Sequence, residues 1–452
     1  MTQPNKKDAV PLSEALRVWL RVALLSFGGP VAQIAVMHRI VVEEKRWIGE
    51  ERFLHALNYC MLLPGPEATQ MAAYLGWLLN KAKGGALAGI LFVLPGVIVM
   101  MALSILYAGF GSLPAVAAVF YGIKAAVLAV VIEAVIRIGK RAVKTEAQMT
   151  LAALAFIAIF FFDAPFPLII ALAGLAGFLG ARAWPTQFSP ASGHGRAANV
   201  PDPVIPEDRL FSVQPTSARA IRISLLFAVV WLGPTLWVLA ALGSADVFAR
   251  IGVFFSKLSV VTFGGAYSVL AYVAQQAVET YGWVTAGEML DGLGLAETTP
   301  GPLIMVTQFV GFLAAYRDPG PMSPMTAGIL GGLLTTWATF APSFFLIFIG
   351  APYIEALRQN KALSAGLAAI TAAVVGVVLN LAVWFAVHVV FARVGEVRAG
   401  PVHMPWPEWA SIDGMAALLA IASLVAMLRF KLGMISTLVA AAALGAAWKL
   451  LV

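Results

Sequence analysis

Thirteen long apolar stretches, separated by short polar or basic joints, constrain this chain more than any other feature. They are Ala15–Met37, Phe53–Asn80, Gly84–Phe110, Leu113–Ile138, Thr145–Phe162 and Pro165–Ala183, then Ile221–Leu242, Val247–Val278, Met289–Tyr316, Met325–Ile349, Ala362–Phe391, Ile412–Leu428 and Leu432–Val452. A bilayer core of about 30 Å takes roughly 20 apolar residues as a helix, and most of these stretches reach that length. Hydrophobic residues make up 60% of the 452-residue chain and charged residues only 12%, against about 25% charged in a soluble domain. Such a chain cannot cover a soluble surface with polar groups. A cytosolic enzyme, a nucleic-acid binder and a disordered protein are thereby excluded. The apolar runs are continuous, without the alternation of a membrane barrel. The expected fold is an all-α polytopic membrane protein.

The net charge of +7 does not point to nucleic acid, because Lys and Arg sit in the joints, as in cytoplasmic loops of membrane proteins. The single cysteine, Cys60, leaves no intrachain disulfide and no cysteine metal cluster. The polar start, with Lys6 and Lys7, lacks the apolar core of a removable leader.

The chain repeats itself. Phe27-Gly28-Gly29 matches Phe263-Gly264-Gly265, and Pro64-Gly65-Pro66 matches Pro300-Gly301-Pro302, both at an offset of 236 residues. Arg21 and Lys257, Glu43 and Glu279, and Trp47 and Trp283 share that offset. Farther on the offset becomes 247: Pro95 pairs with Pro342, and Ala125-Ala126-Val127 with Ala372-Ala373-Val374. The expected organisation is a first repeat over 1–184, a solvated Pro-rich linker over 185–220, an extra helix over 221–243 and a second repeat over 244–452. The odd helix inverts the second repeat relative to the first.

Loop charge places the N-terminus, Lys81/Lys83, Arg137–Lys144, the linker, Arg358/Lys361 and Arg429/Lys431 on the cytoplasmic side. Arg317, Arg393 and Arg398 fall outside. Two joints conflict with thirteen simple crossings. The basic joint His38–Arg52 counts as outside, and the joint Glu279–Glu288, without Lys or Arg, counts as inside. Both conflicts vanish if the FGG and PGP elements are broken or re-entrant helices.

These breaks are the candidate site. Pro removes a backbone donor, and Gly tolerates turn geometry. Broken backbone is tolerated at membrane depth only where protein or a wet cavity covers it. A helix restarting at a break presents free N–H groups and a positive dipole end to an anion. The candidate substrate-binding residues are Arg21, Phe27, Gly28, Gly29, Pro64, Gly65, Pro66, Thr69, Gln70, Lys124, Lys257, Thr262, Gly264, Gly265, Thr298, Thr299, Pro300, Gly301 and Pro302. Against this stands the plainer reading of kinks, snorkelling cations and hydroxyls that satisfy freed backbone groups. Glu67, Glu133 and Glu297 are the candidate proton carriers, with helix capping the simpler role for Glu67. His388 reads as helix packing. No catalytic motif, metal site or cofactor signature is present.

The stretch Ser26-Phe27-Gly28-Gly29-Pro30, through Glu43, Lys45, Arg46 and Trp47, to Leu62-Leu63-Pro64-Gly65-Pro66 and Thr69-Gln70, resembles the chromate ion transporter family. So do Thr262-Phe263-Gly264-Gly265, Thr299-Pro300-Gly301-Pro302 and the two Ala-Ala-Val pieces. The resemblance implies the long-chain form of that family, an inner-membrane exporter of chromate, coupled to the proton-motive force and conferring resistance. Its implied partners are chromate or a related oxyanion, protons and the bilayer, with a homodimer compatible and no nucleic acid. Ala266 departs from the pattern, standing opposite Pro30. The competing readings are a transporter of sulfate or another oxyanion, an anion channel, a membrane-embedded chromate reductase and a structural subunit.

Overall fold

A computed structural model describes residues 10–61, 63–111, 113–188, 203–206, 210–211, 216–263, 265–353 and 361–451. Gly264 and most of the linker lie outside the described residues. The helices are α1 Leu12–Leu25, α2 Gly29–His38, α3 Glu50–Cys60, α4 Glu67–Phe110, α5 Pro114–Ala142, α6 Glu146–Phe162, α7 Phe166–Ala183, the short α8 Pro185–Phe188 and α9 Ser217–Leu242. They continue as α10 Val247–Val261, α11 Ala266–Ala274, α12 Ala286–Thr298, α13 Val306–Arg317, α14 Pro324–Gly350, α15 Lys361–Val390, α16 Gly414–Leu428 and α17 Met434–Leu451. Seven helices among the described residues are long and apolar enough to cross a membrane: α4, α5, α7, α9, α14, α15 and α17. The protein is an all-α polytopic membrane protein.

The glycine and proline breaks interrupt helices where the residues require. The first apolar stretch divides at Ser26–Gly28 into α1 and α2, and α2 runs on as a π turn, Arg39–Glu44. The second divides between α3 and α4 at Pro64-Gly65-Pro66. Within α4, Asn80 and Lys81 leave helical geometry, so Glu67–Leu79 is a half-length helix joined to a longer one. The second half repeats the plan. α10 and α11 flank Phe263–Gly265, and α12 is separated by Pro300-Gly301-Pro302 from a 3₁₀ turn, Leu303–Met305, and α13.

Contacts bring the two ends of the first broken element together. Lys45, past the π turn, pairs with Glu14 in the first turn of α1 at 2.9 Å. Asn80 at the α4 kink donates to the carbonyl of Val10. The linker joins the same end: the Val204 amide donates to the Arg46 carbonyl and the Phe211 amide to the Leu78 carbonyl. Phe211 also packs edge-on against Trp77. The linker is therefore not solvated throughout. Ile205 and Leu210 are buried in the core formed around α1, α3 and the start of α4, because even a Pro-rich connection gains by covering apolar surface.

An antiparallel hairpin, β1 Val394–Ala399 and β2 Val402–Pro407, follows α15. Its sequence carried no helix-length apolar run, and no strand was expected there. Asp163, beyond the C-terminus of α6, forms an ion pair with His403 of the hairpin. Glu279, at the end of the π turn after α11, accepts from Trp384 Nε1 at 3.1 Å. Asp163, Glu279, Glu396, His388 and His403 line one cavity of about 160 Å³. The His388 ring lies 4.3 Å from that of Trp384, centroid to centroid, which agrees with a packing role.

Small residues let the long helices close on one another, as in other membrane bundles. A Cβ at Gly122 of α5 would lie 1.9 Å from the carbonyl oxygen of Ala441 in α17. One at Gly376 of α15 would lie 2.0 Å from that of Ala152 in α6. Gly122→Leu should therefore separate α5 from α17 and cost at least the 1–3 kcal/mol, roughly, of an overpacked core. A lowered melting midpoint and loss of a monodisperse peak in detergent would show it. Burial pushes the Glu279 carboxyl up to about 7, with Asp163 and Glu396 adding to the rise. The folded protein thus holds a proton that the unfolded chain releases, so stability contributed by this group is lost as pH rises from about 4.5 through 7. Melting midpoints measured from pH 5 to 8 should fall with pH, and Glu279→Gln should flatten that fall.

Candidate functional site

The four breaks meet, and they meet across the repeats. The Gly65 amide donates to the Thr262 carbonyl, and the Gly301 amide donates to the Ser26 carbonyl, each at 2.8 Å. Each PGP turn is thus bonded to the residue just before the FGG of the other half. Gly65 and Gly301 have φ of +120° and +97°, a region that disfavours a side chain. They are also tightly surrounded. A Cβ on Gly65 would sit 2.8 Å from Gln70 Nε2 and 3.0 Å from Ser343 Oγ, and one on Gly301 would meet Gly96 Cα at 3.3 Å. Gly96 and Ser343 follow Pro95 and Pro342 at the 247-residue offset, so this packing too is exchanged between halves.

Four helices start at these breaks, and none receives a side-chain cap: α2 from Gly28, α4 from Pro66, α11 from Gly265 and the 3₁₀ turn before α13 from Pro302. Elsewhere Thr145, Asp246, Thr285, Ser323 and Asp413 cap their helices, while the helices that follow Pro11, Gly49, Leu113, Pro165 and Thr216 are also uncapped. The first backbone bond of α4 runs from Gln70 N to Pro66 O. The preceding amides of Glu67, Ala68 and Thr69 have no intrahelical acceptor.

Buried polar atoms without a partner gather beside them. Thr69 and Gln70 are fully buried. Gln70 Nε2 donates to Pro64 O, while Gln70 Oε1 and Thr69 Oγ1 have no partner. Gln33 on α2 donates to Gly301 O at 2.6 Å, and its Oε1 is unpartnered, as is Ser343 Oγ. Orphaned polar atoms at this depth each cost about 1–3 kcal/mol, so their concentration beside uncapped helix starts marks a place prepared for a polar ligand or water. Gln33 and Ser343 escaped the sequence reading. Their only signal was a polar residue inside an apolar run.

The remaining candidates divide. Thr262, Thr298 and Thr299 return their hydroxyls to Leu258, Leu295 and Ala296 carbonyls, as helix hydroxyls do when no ligand claims them. Phe27, Gly28 and Gly29 form the turn into α2. Glu67 stands in the first turn of α4, where a carboxylate faces the positive end of the helix. Glu297 is buried and accepts from Tyr267 Oη at 2.5 Å, with Oε2 unpartnered. Arg137 and Glu133 of α5 lie close enough to act on it electrostatically, and they pair with one another at 3.7 Å. Arg21 is half-exposed and pairs with Glu44 at 2.6 Å. Lys257 is exposed on α10. Among the described residues neither cation is hydrogen-bonded to the breaks. Lys124 pairs instead with Asp291 on α12 at 3.3 Å. Among the described residues no group of His, Cys, Asp and Glu is arranged to hold a metal ion.

The sequence model of the chromate transporter family matches residues 13–178 and 249–446. This chain belongs to that family. The chromate transport protein of Pseudomonas aeruginosa is 34% identical over 367 residues, covering 80% of this chain and 77% of that protein. That of Cupriavidus metallidurans is 27% identical over 420 residues, 93% and 88% of the two chains. An uncharacterized transporter of Methanocaldococcus jannaschii is 25% identical over 395 residues, 86% and 89%. No solved structure matches. Membership supports a chromate transport role for this multi-pass membrane protein.

In this transporter, Gly65→Ala and Gly301→Ala should each destabilise by about 1–2 kcal/mol from the left-handed backbone alone, with crowding added at Gly65. Thermal melting in detergent would register both, with Gly109→Ala, in open helical surroundings, as the silent control.

Proposed function

We propose that the protein exports chromate across the inner membrane, with its N-terminus cytoplasmic, and so confers chromate resistance. The observation that carries this reading is the pair of exchanged backbone bonds at the PGP turns, which gathers uncapped helix starts and unpartnered polar side chains in one buried place. A tetrahedral dianion fits that chemistry. The N–H groups and dipoles of α2, α4, α11 and the α13 turn would replace its water, and the unpartnered Thr69 and Ser343 hydroxyls would donate to complete the shell. The relatives named as chromate transport proteins favour chromate over sulfate.

The same contacts favour inverted repeats and re-entrant elements. The joint after α2 touches the linker and the start of α1, all on the side assigned to the cytoplasm by loop charge. The joint after α11 touches Trp384 and lies with Asp163 and the hairpin on the opposite side. Thirteen simple crossings would put both joints on the wrong sides. The two segments matched by the family model, separated by 179–248, support the division into halves.

A dianion leaving a negative-inside cell gains about 2.3 kcal/mol per charge per 100 mV, or roughly 4–5 kcal/mol in total. The electrical part of the proton-motive force therefore suffices to drive export. Glu67, Glu297 and Glu133 are the groups through which protons would couple. Alternating access would rock one half against the other about the crossed turns.

Everted vesicles containing the protein should accumulate chromate saturably, resist excess sulfate and lose uptake when the membrane potential is collapsed. Gly301→Leu should abolish equilibrium chromate binding by the purified protein. Arg21→Gln and Lys257→Gln test the two symmetric cations, and unchanged transport in both would remove them from the anion path. Uptake competed equally by sulfate would replace chromate by a general oxyanion as substrate, and flux without saturation would make the protein a channel.

A further inference from the structure

On one side of the crossed turns, the packing of α5 against α12 holds a charge pair, with Asp291 buried and Lys124 part-exposed, that the central site does not use. Gly287 and Gly294 allow the two helices to approach. A Cβ on Gly294 would lie 2.3 Å from Ile123 Cγ2, and one on Gly287 would lie 3.2 Å from Lys124 Nζ. Between these glycines on the helix stands Asp291, only 3% exposed. Its Oδ2 takes the Lys124 ammonium at 3.3 Å and the Tyr107 hydroxyl at 2.8 Å, while its Oδ1 has no partner. Tyr107 is held edge-on by Phe120 and Phe309. It also lines a cavity of about 310 Å³ whose other polar walls are Glu288, Tyr316 and Arg317. Arg317 in turn pairs with Glu288 and donates to Trp283 O. Tyr107 therefore stands between the Lys124–Asp291 pair and a charged vestibule.

The pair bridges the two halves, and it does so once. At the repeat offsets, His55 stands opposite Asp291 and Thr371 opposite Lys124, so the equivalent positions carry no second such pair. A bridge needed only to hold the halves together would be expected at both equivalent places. One needed on a single route would not.

We propose that Lys124 is a second oxyanion contact, on the route from the crossed turns to the Arg317 vestibule, and that Asp291 and Tyr107 keep it closed until the anion arrives. The inference rests on the oxyanion-transport reading above. An oxyanion reaching Lys124 replaces the Asp291 carboxylate as its partner. Asp291 then retains the Tyr107 hydroxyl, and the separation of Lys124 from Asp291 opens the way past Tyr107 to Arg317. No bond is made or broken in this exchange of partners. The Lys124 side chain is 31% exposed, so a dianion can reach it and compete with Asp291 for the ammonium.

The experiment measures two quantities on the same full-length variants: equilibrium binding of radiolabelled chromate to purified protein, and chromate uptake into everted vesicles. Lys124→Met should keep binding within about two-fold of wild type while uptake falls at least about ten-fold, because an interaction made only along the route affects turnover and not resting affinity. Lys124→Arg should restore uptake in part. Asp291→Asn should raise passive chromate efflux from preloaded proteoliposomes several-fold. The neutral pair Lys124→Met with Asp291→Asn keeps the packing without buried charge, and uptake should stay low. Recovery of uptake in that double variant would make the pair structural and overturn the proposal, as would wild-type uptake in Lys124→Met. Loss of binding in Lys124→Met would move Lys124 into the central site and overturn the route. A wild-type protein that binds no oxyanion would overturn both this inference and the reading on which it rests, whereas normal binding in Gly301→Leu alone would overturn only the central site.

Discussion

Two backbone hydrogen bonds, Gly65 N to Thr262 O and Gly301 N to Ser26 O, hold the rest of this structure in its arrangement. Each joins a turn that cannot continue a helix to a residue where another helix has just ended. In a bilayer an unpaired peptide group costs several kcal/mol, so a broken helix must find partners within the protein. Here each half supplies the partner for the other. Neither half can satisfy its own break, which makes their association obligatory and places four helix starts around one point.

The symmetry of that crossing is backbone symmetry, and the side chains depart from it. Gly96 packs on Gly301 where Ser343 packs on Gly65. Gln33 reaches Gly301 O, but its repeat counterpart is Val269, which cannot. Lys124 and Asp291 bridge the halves at one place, and their repeat counterparts, Thr371 and His55, are no such pair. The duplicated backbone thus carries different chemistry at its two equivalent places.

The breaks and the helical class were legible in the sequence because each rests on local chemistry. Pro lacks an amide hydrogen, Gly accepts positive φ, and a run of some 20 apolar residues has few alternatives in a membrane. The cations were read less well. Arg21 and Lys257 stand at equivalent positions, yet Arg21 meets Glu44, and Lys257 is exposed on the outer face of α10. An offset between repeats does not reveal which way a helix face turns. Asp291 and Tyr107 went unnoticed, since a lone acid in Met289–Tyr316 gives no hint that α5 will bring a lysine to it. The linker was read from proline content as solvated, although Ile205, Leu210 and Phe211 cover apolar surface once the first half has folded.

The sequence by itself determined that this chain enters a bilayer as helices and that those helices are interrupted at the FGG and PGP motifs. Hydropathy, proline and glycine act over a few residues, so no distant contact can reverse them. Only the tertiary structure decided that the breaks of opposite halves bond to one another, that Lys124 is held by Asp291 beside Tyr107, and that the α2 joint lies with the linker. These pairings join residues up to 275 positions apart, as in Gly301 to Ser26, and depend on helix rotation and depth, quantities that no local pattern encodes.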